Sequence, residues 1–198
     1  MIRFDNVSKQ LGEKVILDRV SFEVEGSTVA LSHSGLAPGD EADGTRASWK
    51  VALGLLDHYL AHHQGRDRRT AWAVQRAVTT AGAAHVYFSN EAALGTWLTR
   101  SGEVGADGSA VALELAWGEE LSGVVLASEP GRDVAISWHE RQESALVLRT
   151  LPAPFSGSER LLVATWSCWG REPDREIADR LERALERLAR VLSNSAEA

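Results

Sequence analysis

The strongest pattern in the chain lies at its end. From Pro173 to Leu192, the apolar positions Ile177, Leu181, Ala184, Leu185, Leu188 and Leu192 fall on one side of a helix. Pro173 suits a first helical turn, and Asp174 and Glu176 favour the positive end of the helix dipole. Glu176–Arg180, Asp179–Arg183 and Glu186–Arg190 are i, i+4 pairs in the favourable order, each contributing only about 0.2–0.5 kcal/mol. Upstream, Val111, Leu113, Leu115 and Trp117 alternate with polar or small residues, as do Val134, Ile136 and Trp138. This period of two predicts half-buried strands. Strands are expected at 71–78, 111–117, 122–127, 133–140, 145–151 and 161–168, and short helices at 83–89 and 91–98. Gly118, Pro130-Gly131 and Ser156-Gly157-Ser158 punctuate the strands.

The first third reads differently. Ile2–Val7, Val15–Leu17, Val20–Val24 and Thr28–Leu31 are short β-type runs separated by turn signals at Gly12 and Glu25-Gly26-Ser27, with a hairpin over about 19–33. Residues 36–44 have loop composition. A helix follows over 45–62, with Trp49, Leu53, Leu56 and Leu60 as its apolar face. The polar run 63–70 marks a boundary. The expected organisation is a first segment over 1–63, a linker over 64–70, a main domain over 71–192 and a tail over 193–198.

Composition narrows the class. In 198 residues, 44% are apolar and 25% charged, an ordinary globular balance. No apolar run approaches the roughly 20 residues of a membrane span, and no secretory signal is visible, so a cytoplasmic protein is expected. The net charge of −7 argues against a sequence-independent nucleic-acid binder. The one basic cluster, Arg66, Arg68 and Arg69, is diluted by Asp67 and reads as a solvated linker. Cys168 is the single cysteine, which excludes an intrachain disulfide and a cysteine-based zinc site.

From residue 71 the order is strand, two short helices, several strands and a long amphipathic helix. An antiparallel sheet buries one face beneath such a helix. A curved sheet gripping it would leave an apolar-walled cavity. The carrying residues are Trp72-Ala-Val-Gln-Arg76, Glu91-Ala-Ala-Leu-Gly-Thr-Trp97, Glu129–Trp138, Leu148-Arg-Thr-Leu-Pro152 and Thr165-Trp-Ser167. On these, 71–192 resembles the START/Bet v 1-like (SRPBCC) superfamily, and within it proteins related to the activator of heat-shock-protein-ninety ATPase. The resemblance implies an α+β helix-grip fold, with either a hydrophobic ligand or a chaperone partner. Ser27–Leu36, followed by Trp49 and the helix to Leu60, resembles the last strand and C-terminal helix of the same family, which makes 1–63 a partial repeat lacking its front half.

Residues 1–24 are weakly similar to the opening strands of ABC-type ATP-binding subunits. That family needs GxxxxGK[ST], whose backbone N–H groups cradle phosphates while the Lys handles charge. Here Ser32–Gly39 carries no Lys. The similarity is read as a matching strand pattern or a fusion remnant, without nucleotide hydrolysis.

The candidate chemistry is sparse. His58 and His62 stand at i, i+4 and could hold zinc, but residue 59 is Tyr where H-E-x-x-H has Glu. The histidines 58, 62 and 63 read as helix C-terminal residues favoured by the dipole. His139 beside Trp138 is expected to face outward. Cys168 has no evident base and reads as a small buried residue. Neither a catalytic set nor a metal or cofactor is expected.

The chain has seven Trp, five of them from Trp97 to Trp169. Indoles line apolar cavities while offering one N–H donor. Ligand-lining roles are therefore assigned to Trp97, Trp117, Trp138 and Trp166 on the strands and short helix, and to Leu181 and Leu185 on the long helix. Arg149, set in a strand between Leu148 and Thr150, is either a polar hook for a ligand carboxylate or a partner of Glu140 or another acid. The expected function is a non-enzymatic START-like module enclosing a small hydrophobic or amphipathic ligand. The alternatives are a co-chaperone-type interaction module, as a chaperone partner or a homodimer, and a cyclase- or hydrolase-like enzyme using Arg149 or His139.

Overall fold

The computed structural model describes residues 2–11, 14–25, 28–33, 42–154 and 158–196. The expected turns at Gly12 and Gly26-Ser27, most of the 36–44 loop and of the Ser32–Gly39 segment, and Ser156-Gly157 lie outside the described residues. Contacts divide the chain into two compact units, Met1–Asp43 and Gly44–Ala198. The helix over 45–62 therefore belongs by its contacts to the second unit, not to the 1–63 segment suggested by its sequence.

The first unit is a three-stranded antiparallel sheet, β1 (Ile2–Leu11), β2 (Lys14–Glu25) and β3 (Thr28–His33), in that order. Val20 pairs with His33 and Val24 with Val29, which is the expected hairpin. The separate runs at 15–17 and 20–24 merge into one strand. Register shifts after Phe4 and Val7 of β1 absorb the break between them.

The second unit comprises α1 (Ala42–His62) from Gly44 onward and β4 (Arg68–Val78), followed by α2 (Ala81–Ser89) and α3 (Glu91–Leu94). Thr80 caps α2 through its side chain and Asn90 caps α3, so the two helices meet at a polar corner. Then come β5 (Thr99–Ser101), β6 (Ala110–Leu115), β7 (Glu120–Ser128), β8 (Val134–Trp138), β9 (Ser144–Pro152), β10 (Glu159–Trp169) and α4 (Arg175–Ala196). The seven strands form one antiparallel sheet in the order β4-β10-β9-β8-β7-β6-β5. β4, first in sequence, pairs with β10, the last, and brings α4 back over the sheet.

The sheet has two buried faces. On the inner face, Leu162, Ala164 and Trp166 of β10, Leu146 and Leu148 of β9, and Ile136 and Trp138 of β8 meet the α4 stripe Ile177, Leu181, Ala184, Leu185, Leu188 and Leu192. Phe88, Leu94 and Trp97 close the far side of this core. On the outer face, Val51 and Leu55 of α1 lie on Ala127, Ala135, Ala145, Val147 and Trp169. A register shift between Val125 and Ala127 sends the first into the inner core and the second to the outer one. Covered on both sides, β8 is buried at every position. Gly123 permits the close pairing of β7 and β8, because a Cβ there would lie 1.7 Å from the Ser137 carbonyl oxygen.

α1 uses a different face from the one its apolar spacing picks. Ala47, Val51, Leu55 and His58 are buried, whereas Leu56 and Leu60 are 42% and 52% exposed. The cause is close approach. A Cβ on Gly54 would meet the Leu126 carbonyl oxygen at 2.8 Å, so the face that carries Gly54, Val51 and Leu55 lies against the sheet and Leu56 and Leu60 turn away. No described helix is long and apolar enough to cross a membrane.

Candidate functional site

Two concave regions flank the sheet. The first is the mouth of the grip, where α4 begins and β10 ends. It is a cavity of about 350 Å³ with Trp166, Cys168 and Ile177 as its apolar floor. Its rim carries Arg141, Arg171, Arg175 and Arg180 beside Glu119, Asp174 and Glu176. Antiparallel pairing places Trp166 and Cys168 on the inner side of β10, and the first turn of α4 presents Ile177 across from them.

The rim is partly tied together. Arg141 Nη1 donates to Asp174 at 2.9 Å, and Arg141 also pairs with Glu119. Arg171 donates to the Arg141 carbonyl at 3.0 Å, and Arg180 pairs with Glu176. The Arg180 guanidinium lies 5.6 Å from the Trp117 ring, whose indole donates to Glu119 at 3.0 Å. Arg175 is exposed on the first turn of α4 and makes no ion pair among the described residues. Burial pushes the Cys168 thiol above its ordinary value, so it stays protonated at neutral pH.

Behind the floor sits a polar deficit. Trp138 stacks on Trp166 with ring centroids 6.4 Å apart. The Trp138 indole nitrogen is buried without a hydrogen-bond partner, and so is the hydroxyl of Ser144, its pairing neighbour on β9. Two such orphans side by side cost free energy, roughly 1–3 kcal/mol each.

The structure brings some of the expected ligand-lining residues together and separates others. Trp138, Trp166, Leu181 and Leu185 share the inner core, and Trp117 packs against its margin. Trp97 is also in this core, but its indole is satisfied by the Tyr87 carbonyl at 2.8 Å. Leu181 and Leu185 are fully buried among packed side chains rather than lining the mouth. Arg149 falls on the opposite face. Its strand phase puts Leu148 inward, so Arg149 points outward and meets Asp133 at 3.0 Å. The acid is not Glu140, which accepts instead from the Ser122 backbone at 2.8 Å and from its hydroxyl. Burial raises the Asp133 carboxyl above its ordinary value, against the pull of Arg149. The sequence signal missed at the mouth is the arginine rim, spread over three elements and without a local pattern.

The second region is a groove of about 850 Å³ on the outer face, between α1 and the outward side chains of β4, β9 and β10. Trp72, 69% exposed, Val74, Leu161 and Val163 form its sheet wall, and Leu56 and Tyr59 its helix wall. Arg68 closes one end. It donates to the Ser167 hydroxyl at 2.8 and 2.9 Å and lies 5.9 Å from the Trp169 ring, so it is a strand residue rather than part of a solvated linker.

No family model and no curated protein matches the chain. Solved structures do. The Aha1 dimer from Colwellia psychrerythraea superposes with a TM-score of 0.52 at 14% identity, over 63% of this chain and 96% of that one. The second unit has a START/Bet v 1-like fold. XoxI from Bacillus cereus gives a TM-score of 0.52 at 10% identity, over 66% of this chain and 99% of that one. DynU16, a protein of the dynemicin biosynthetic locus, gives 0.51 at 16% identity, over 63% of this chain and 48% of that one. The helix-grip architecture expected from strand order and the terminal helix is thus the observed one.

Proposed function

We propose that the second unit is a START-like module that holds a small amphipathic molecule at the mouth of its grip, with the anionic end of that molecule at the arginine rim. The observation that carries this reading is the mouth itself. It pairs a Trp166–Ile177 floor with Arg175, an exposed cation with no ion-pair partner among the described residues. Its volume of about 350 Å³ lies at the small end of the range for ligand pockets. Trp138 and Ser144 add two unused donors behind the floor, which a ligand acceptor passing Trp166 would satisfy. Cys168 is a protonated thiol in this setting and serves as apolar lining, so a binding role is favoured over nucleophilic catalysis.

The test uses decanoate, a short anionic amphiphile, below its micellar concentration, with tryptophan emission of the full chain as readout. A saturable one-to-one change is expected, weakened at least tenfold in Arg175→Ser, whose exposed site leaves the fold intact. A linear, unsaturable response, or equal affinity in the variant, contradicts the reading.

The outer groove favours a second reading, a co-chaperone-type interaction module. An exposed Trp72 beside Val74 and Leu56 is the kind of apolar patch that marks protein contacts. The similar Aha1 structure is a dimer. This reading expects a chaperone ATPase to turn over faster with the wild-type chain and not with Trp72→Ser. Unchanged turnover with both removes it.

A further inference from the structure

The outer end of α1 gathers side chains that neither the mouth nor the groove uses. His58, His62 and His63 come from the last turn of α1 and the residue after it. They meet the tight turn between β8 and β9, which carries His139 and Glu143. One nitrogen each from His58 and His62 and a carboxylate oxygen of Glu143 lie within 4.8 Å of one another.

Hydrogen bonding decides the state of these rings. The Glu143 carbonyl oxygen lies 2.7 Å from His58 Nε2 and 2.9 Å from His63 Nε2. A carbonyl only accepts, so both rings donate from Nε2. In the neutral imidazoles this leaves Nδ1 as a bare lone pair. For His63, Nδ1 is buried without a partner. His58 thus has the arrangement typical of a metal-ligating histidine, one ring N–H anchored on a carbonyl and the other nitrogen open. The Glu143 carboxylate is itself held by His139 Nδ1 at 2.8 Å, an outer partner of the kind that orients a ligating acid.

The turn is built at a cost. Gln142 and Glu143 have φ of 53° and 56°, two consecutive non-glycine residues in the left-handed region. Such conformations persist where the surroundings over-determine them, and they cluster at functional positions. Here the conformation aims the Glu143 carbonyl at the two histidines.

We infer that His58, His62 and Glu143 form a binding site for a divalent transition metal of the zinc type. Imidazole and carboxylate donors suit that class. Ligand atoms around a tetrahedral zinc stand about 3.3 Å apart, from bond lengths near 2.0–2.1 Å. His62 is exposed and Glu143 half-buried, so small side-chain shifts of these two, with the His139 contact following the carboxylate, would reach that spacing around buried His58. The bound ion would tie the end of α1 to the β8–β9 turn.

The test is calorimetric titration of the chelator-treated full chain with zinc chloride, with thermal melting recorded with and without zinc. One zinc per chain is expected, together with a higher melting temperature when zinc is present. His62→Ala, at an exposed position, should melt like the wild type without metal, bind at least tenfold more weakly and lose the zinc-dependent shift. Glu143→Gln should weaken binding similarly, and His85→Ala, away from the site, should leave it unchanged. Absence of stoichiometric binding by the wild type, or undiminished binding by His62→Ala, overturns the assignment.

Discussion

Asp133 is 2% exposed and still faces a guanidinium, Arg149, across neighbouring strands on the outer side of the sheet. Burial raises the carboxyl, and Arg149 is the main force holding it down. Arg149→Met should therefore cost about 3 kcal/mol, the typical penalty for stranding a buried charge. A carboxyl whose folded pKa exceeds its unfolded one keeps its proton in the native state between the two values, so stability falls as pH rises through that window. Without Arg149 the window widens upward. Urea unfolding should then show the deficit of the variant shrinking as pH falls toward the ordinary carboxylate range. A deficit independent of pH would show that Asp133 is not its source. Decanoate binding at the mouth should survive this substitution, because Arg149 faces away from it. The sequence left Arg149 open between a ligand hook and an ion-pair partner. Alternation fixes which residues share a face, but not which face is inner, and here Leu148 rather than Arg149 takes the inner side.

The two long helices differ in how plainly the chain announces them. The six-residue apolar stripe of α4 is the buried stripe of the structure, because large side chains meet the sheet at ordinary helix–sheet distance. Leu185→Asp places a charge among fully buried neighbours and should abolish cooperative unfolding. A soluble variant with a sharp melting transition would contradict that packing. The apolar spacing of α1 picks the wrong face, though close to the right extent. Its contact depends on Ala47 and Gly54, small residues that a search for large apolar side chains passes over. Gly54→Leu would drive a side chain into the Leu126 carbonyl and should cost roughly 1–3 kcal/mol as α1 is lifted. Near-UV circular dichroism should change through Trp169, which lies beneath α1, while the inner core keeps its cooperative melt. An unchanged spectrum and stability would mean that α1 does not sit closely on the sheet. The three-residue β5 carries too few positions for a period to show. The mouth was legible only in its indoles, since its arginines come from the turn after β8, the stretch after β10 and the first turns of α4.

At the scale of the whole second unit, one sheet separates two environments. The inner side is a filled core with a charged mouth, and the outer side is an apolar groove beside a histidine-rich helix end. The proposed ligand, protein-contact and metal roles fall on different parts of this frame, so each variant tests one role without disturbing the others. The central claim is that the mouth holds a small amphipathic molecule, and native mass spectrometry of the purified full chain with added decanoate tests it most directly. The account predicts a single adduct of one decanoate per chain, or a co-purified molecule that decanoate displaces, with either signal lost in Arg175→Ser. A wild-type chain that stays empty across the titration, or an adduct equally abundant in the variant, would contradict it.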